Sequence, residues 1–199
     1  MTELNTQQIK NAARMLDFIM ERGGGFVNDP KDPGGATKYG ISLRFLKTID
    51  PAMADLDEDG DIDVDDIFAM TMETARTFYM VRFYTPMGIG RYPAPLGAAM
   101  LDTGVNMGKA AAGRILQQAL NQSGAELAVD GIVGPKTRTA LAFFDTMDTL
   151  RAVLLVRVFA YAALCRKNRE LRRFFFGWVE RVRHLELFCM DLEKKGVRA

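Results

Sequence analysis

The chain has 199 residues, 26 basic and 25 acidic side chains, and 48% hydrophobic residues. That is enough to bury a core in one medium domain, or in a domain with a smaller module. Two cysteines, Cys165 and Cys189, are too few for a disulfide framework, and a lone histidine, His184, argues against a histidine triad or zinc site.

The charge is unevenly divided. Residues 151–199 carry 12 basic against 5 acidic side chains, about +7, which leaves about −6 on residues 1–150. A basic tail can face an anionic polymer, or simply be the solvated face of a helix pair. No motif demands nucleic acid. The N-terminus lacks a basic region followed by an apolar run, so no secretory signal is read there. The most apolar run, Leu150 to Cys165, is short and interrupted by Arg151 and Arg157, so no stable membrane insertion is expected. The chain is read as synthesised in the cytoplasm.

Thr6 to Glu21 reads as a helix, with Ile9, Ala12, Ala13, Leu16, Ile19 and Met20 on one stripe. Asn5 or Thr6 can cap its start, and Gly23 to Gly25 stop it. A long irregular stretch follows to Ile41, with five glycines before Gly40 and two prolines. Such a segment in a compact domain is functional or disordered. Phe26, Val27, Tyr39 and Ile41 can anchor it, which favours an ordered, functional turn. Ser42 then opens a short helical segment.

Asp55 to Asp66 follows the calcium-loop pattern of an EF-hand. Asp55, Asp57, Asp59, Asp61 and Asp63 take the alternating positions 1 to 9, Gly60 the sharp turn, and Asp66 position 12. Alternate carboxylates of a tight loop converge on a hard cation, and Ile62 is expected to pin the loop to the core. Asp66 is one methylene shorter than the usual Glu, which points to weaker binding. A single loop suggests structural Ca2+ rather than a sensor; the bland reading is a solvated acidic turn.

Further helices are predicted over residues 71–83, 96–107, 109–121, 136–144, 146–167 and 170–193, the second of these a central buried helix. Alternating strands longer than a few residues are missing, so the expected class is mainly α.

The glycine-rich stretch does not read as a phosphate cradle, since no G-x-x-x-x-G-K-S/T is present. What remains is carboxylate and hydroxyl chemistry: a helix ending in an acid, then a turn bearing Asp32 and Thr37. A glycosidase needs one protonated acid at the glycosidic oxygen and a second acid that holds water or stabilises the cationic transition state.

Here a resemblance enters. Gly24-Gly25-Phe26-Val27-Asn28-Asp29-Pro30, then Asp32-Pro33-Gly34-Gly35-Ala36-Thr37-Lys38-Tyr39-Gly40-Ile41, resembles the signature of glycoside hydrolase family 108 lysozymes, E-G-G-Y/F-V-x-D-P-x-D-x-G-G-x-T-x-Y-G-I. Asp102 to Gly108 is similar to the family's D-x-x-V-N-x-G helix. Asp130 to Thr137 is similar to the D-G-x-x-G-P-x-T element of its peptidoglycan-binding part, and Phe174 to Arg181 to its closing F-x-x-G-W-x-x-R. The resemblance implies a lysozyme-like helical domain over residues 1–108, containing the calcium loop, and a helical peptidoglycan-binding region over 109–199. It implies a phage endolysin or secretion-activator muramidase that hydrolyses the MurNAc-GlcNAc bond in the periplasm or cell wall, after release by a holin-type system. It assigns Asp32 and Thr37 to the cleft, Tyr39 and Asn106 to sugar, and Asp130 and Lys136 to the wall.

One departure outweighs the matches. The family's catalytic Glu immediately precedes Gly-Gly, and that position here is Gly23. Three readings stand side by side: a Glu removed to silence the enzyme, a natural member that only binds wall, or Glu21 acting as substitute acid. A lytic transglycosylase, which also relies on one Glu, is a further alternative.

Overall fold

The computed structural model describes residues 5–29 and 34–196, and Asp32 therefore lies outside the described residues. The chain is mainly helical, as expected, with one two-stranded sheet among the described residues. It divides into two compact units: residues 12–82, and residues 83–199 together with 1–11.

The 12–82 unit takes its core from α1 (Thr6–Gly23), which buries Met15, Leu16, Phe18, Ile19 and Met20. The helix runs two residues past the expected end and stops where Gly24 turns left-handed, φ 72°. Strands β1 (Thr37–Lys38) and β2 (Ile41–Ser42) form a hairpin in which Thr37 faces Ser42 and Lys38 faces Ile41. Short helices α2 (Leu43–Leu46), α3 (Pro51–Ala54) and α4 (Val64–Ala69) follow, each started by a side-chain cap from Ser42, Asp50 and Asp63. Helix α5 (Met72–Tyr79), capped by Thr71, buries Ala75, Phe78 and Tyr79 and passes into a π-helical turn at Met80–Tyr84.

The second unit is built on α6 (Ala94–Met107), where every residue from Pro95 to Gly104 is buried. Around it pack α7 (Lys109–Gln122), α9 (Thr146–Lys167) and α10 (Arg172–Gly196). Helix α8 (Pro135–Leu141) is shorter than expected, because the chain turns at Ala142–Phe144 before Asp145 caps α9. Cys165 and Cys189 are buried free thiols, and burial pushes that of Cys189 up.

Buried in this unit is a charge cluster. Asp102 on α6, 0% exposed, meets Arg157 of α9 at 2.7 Å and Arg181 of α10 at 2.6 Å. Two guanidiniums face one carboxylate, so the surplus donors need neutral acceptors. Arg157 donates Nε and Nη2 to Tyr161 Oη at 3.0 and 2.9 Å, and Nη1 to Thr103 Oγ1 at 3.2 Å. The Tyr161 hydroxyl in turn donates to Asn106 Oδ1 at 2.5 Å. Burial raises the Asp102 pKa, but the two guanidiniums outweigh it and hold the carboxyl below its ordinary value.

Candidate functional site

The glycine-rich turn is tied to the end of α1 by backbone. Tyr39 N–H donates to Gly24 C=O at 2.9 Å, and Val27 and Thr37 exchange two bonds of 2.8 Å. Tyr39 sits at φ 53°, uncommon for a side chain with a Cβ. It is held there by Tyr79, whose hydroxyl donates to Tyr39 C=O at 2.8 Å. Of the four expected anchors only Ile41 is fully buried; Phe26 and Val27 are exposed. The backbone bridge does the holding for Val27, and Phe26 rests edge-on against Phe68 at 5.4 Å.

Gly23, the position of the expected acid, packs directly on this turn. A Cβ placed there would stand 2.6 Å from Gly40 Cα, and closer still to Gly40 N and the Tyr39 carbonyl carbon. Gly40 is itself hemmed in, since its own Cβ would lie 2.8 Å from Tyr79 Oη. The acid position thus lacks both a carboxylate and the room for a side chain.

Glu21, two residues earlier, is exposed and lines a cavity of about 440 Å³ with Asp17, Met20, Gly24, Gly25, Tyr39, Met72 and Arg76. Arg76 Nε reaches Asp17 Oδ1 at 3.2 Å, and Nη2 shares the same oxygen. The cavity brings Glu21 and Tyr39 together. Glu21 is exposed there, whereas a general acid is expected to be at least partly buried. Thr37 Oγ1 donates to Gly35 C=O at 3.2 Å, an intra-turn bond. Asp17 had no motif to mark it as a cavity residue; it lies one turn from Glu21 on the same face of α1, as Arg76 lies one turn from Met72 on α5.

The acidic loop has the geometry of a cation site. Ligand oxygens of Asp55, Asp57 and Asp59 lie within 4.8 Å of one another, as do those of Asp61, Asp63 and Asp66. Gly60 is left-handed at φ 98°. Asp55 Oδ1 is buried without a hydrogen-bond partner, while Oδ2 accepts from Gly60 N at 3.0 Å. Desolvation and then the Asp59 carboxylate raise the pKa of Asp57; for Asp61 the Asp59 charge is the first cause. Asp66 is fully buried, accepting from Leu56 N at 2.5 Å and Asp63 N at 2.7 Å. It closes the loop and caps α4 through the same oxygens that would face an ion. The donor set, all hard oxygen, fits Ca2+. Ile62 is only half-buried; the pinning falls to Ile67 on α4, which is fully buried.

In the second unit, Asn106 lines a groove of about 1190 Å³. Asp130 and Lys136 share a separate cavity of about 490 Å³. The Asp130 carboxylate accepts from Gln117 Nε2 at 2.7 Å and Ile132 N at 2.8 Å, bonds that lower its pKa. It is thus engaged in shaping the 130–134 turn, with Gln117 Oε1 accepting from Gly131 N. No motif marks Gln117, which is buried on α7.

Among the described residues no helix is long and apolar enough to cross a membrane. Residues 16–108 match the family described as glycosyl hydrolase 108, and residues 111–183 match a predicted peptidoglycan domain. No curated protein matches. A solved structure described as that of Brucella abortus SagA superposes with a TM-score of 0.72 at 24% identity, over 92% of this chain and 96% of that one, a likeness of fold. The motif residues of the turn, Gly24 to Ile41, and the Asp102 and Asn106 positions of α6 fall within the segment that matches the glycosyl hydrolase 108 family, and that segment is followed in the chain by one that matches a predicted peptidoglycan domain.

Proposed function

We propose that this chain is a peptidoglycan muramidase of the endolysin type whose turnover is strongly impaired as written. Its substrate is the MurNAc-GlcNAc bond, reached in the periplasm or cell wall after holin-type release. The observation that carries the reading is the closed seat at Gly23: the helix end and the Tyr39–Gly40 turn are in backbone contact where the acid belongs. Loss of a general acid costs about 100- to 10,000-fold in rate. Thr37 on the turn and Asp32, by the resemblance, take the cleft roles, and Ca2+ in the Asp55–Asp66 loop acts as a structural staple.

A second reading, in which Glu21 supplies the proton, is favoured by its place in the cavity with Tyr39. The remaining alternatives are a wall-binding protein without turnover, and a lytic transglycosylase.

The test is clearing of purified cell walls by three proteins: this chain, Glu21→Gln and Gly23→Glu. The chain is expected to clear walls at least about 100-fold more slowly than an intact lysozyme. Glu21→Gln is expected to leave the residual rate unchanged; abolition of that rate would assign the acid to Glu21. Clearing by the chain at full lysozyme rate would overturn the impaired reading. Mass analysis of released fragments separates hydrolysis from anhydro-sugar formation.

A further inference from the structure

One groove of the second unit takes no part in the acid chemistry above. It runs between α7 and α9 and ends at Trp178 of α10. At about 1190 Å³ it exceeds the roughly 300–1,000 Å³ typical of small-ligand pockets, so it suits an extended ligand. Its walls are of three kinds. Phe159 (62% exposed) and Trp178 give aromatic faces. Gln118, Gln122 and Asn106 give amides. Arg114 and Lys167 give the charge, and no acidic side chain lines the groove.

One wall is built from the buried cluster. Trp178 stacks on Tyr161 at 4.8 Å, and Tyr161 is fixed by Arg157, which is 0% exposed. Because the Tyr161 hydroxyl occupies Asn106 Oδ1, the amide NH2 of Asn106 is left as the donor it offers the groove. A buried ion network therefore presets an exposed amide and an indole.

We propose that the α7–α9 groove is a peptidoglycan-binding site, taking a stretch of N-acetylated glycan together with its acidic peptide stems. This rests on the peptidoglycan reading above. Sugar rings present apolar C–H faces that cover aromatic side chains, and their N-acetyl and hydroxyl groups pair with amides. Stem carboxylates pair with a guanidinium and an ammonium, which explains a groove with two cations and no anion. All but two of its lining residues, Asn106 and Met107, fall in the segment that matches the predicted peptidoglycan domain.

The experiment is co-sedimentation of the full chain with purified sacculi, intact or stripped of stems by an amidase, the stripped strands being bound to beads because loss of the stems removes the crosslinks that keep the glycan insoluble. Phe159→Ala, Arg114→Glu and Lys167→Glu all change exposed positions; Arg151→Glu, outside the groove, is the charge-matched control. Phe159→Ala is expected to weaken binding to both sacculi about tenfold (about 1.4 kcal/mol). Arg114→Glu and Lys167→Glu are expected to weaken binding about tenfold to intact sacculi only, and Arg151→Glu to change neither. Parent-like binding by the groove variants overturns the inference while leaving the peptidoglycan reading standing. So does a parent dimer that Phe159→Ala dissociates without loss of sacculus binding, since the groove would then hold a second copy. Failure of the parent to pellet with either sacculus overturns both.

Discussion

Gly23→Ala adds one methyl at the seat of the missing acid. Real Cβ atoms essentially never approach other atoms within 3.0 Å, and this one would find Gly40 Cα at 2.6 Å. The obstacles are backbone atoms of the turn, and they cannot rotate away. Overpacking of this kind costs about 1–3 kcal/mol. Alanine recovers up to about 1 kcal/mol of helix propensity over glycine. Three backbone atoms within 2.6 Å put the clash in the upper part of that range, about 2–3 kcal/mol, so the net is about 1–2 kcal/mol of destabilisation, a fall in Tm of roughly 2–8 °C for a chain of this size. Two neighbours calibrate it. Gly25 has open space and no left-handed backbone, so Gly25→Ala is expected within about 0.5 kcal/mol of the parent. Gly24 has open space but φ +72°, so Gly24→Ala is expected to be destabilised by strain alone. Thermal melts followed by circular dichroism at 222 nm read all three. If Gly23→Ala melts at or above the parent, the seat is open and the closed-turn reasoning is wrong. The same reasoning makes Gly23→Glu less stable than the parent, so wall clearing by that variant is to be read alongside its melt.

Asp102→Ala leaves the fully buried guanidinium of Arg157 and the partly exposed one of Arg181 without their carboxylate, and a loss of about 3–5 kcal/mol is expected in urea unfolding. Because the folded pKa of Asp102 is depressed, its contribution is complete above the ordinary value of 3.8 and is lost as pH falls through the lower folded value. The stability gap between parent and Asp102→Ala is therefore expected to be flat above about pH 5 and to shrink below pH 4; a gap that widens on acidification would refute the assignment. For the acidic loop, Ca2+ at 100 times its Kd stabilises by about 2.7 kcal/mol. A rise in Tm of roughly 5–10 °C over a chelated sample is expected, abolished in Asp55→Ala. Equal melts with and without chelator would leave the loop a bare acidic turn.

The helices were legible because their signals are local. The α1 stripe, the glycines after it and the Asp145 cap of α9 each act within one or two turns of chain. The spacing of Asp55 to Asp66 was legible for the same reason, since a twelve-residue loop closes on itself. What the sequence hid is what depends on distant partners. Arg157 reads as a flaw in an apolar run, while Arg151, six residues earlier, reads the same way. In the structure they part company: Arg151 is exposed beside Asp148, and Arg157 is fully buried against Asp102, 55 positions away. Nothing within α9 distinguishes them, because the carboxylate that makes burial affordable belongs to α6.

Gly23 carries the same point into the candidate site. The residue string shows glycine where the resembling signature has glutamate and leaves open whether a carboxylate placed there would support chemistry. That depends on how closely the turn at Tyr39–Gly40 approaches, which is set by the Tyr79 hydroxyl on Tyr39 C=O and by the Tyr39 N–H on Gly24 C=O. An acid at position 23 must be accompanied by a turn that stands further from the helix. The glycine and the closed turn are therefore one feature: the absence of a side chain is what lets the two backbones touch, and their contact is what now excludes one. A variant that restores catalysis would have to loosen Tyr79 as well, and Gly23→Glu combined with Tyr79→Phe, which removes the hydroxyl that abuts Gly40, is expected to tolerate the added carboxylate better than Gly23→Glu alone, seen as a smaller loss of Tm relative to its own Gly23 parent. Equal losses in the two backgrounds would show that Tyr79 does not hold the turn in place.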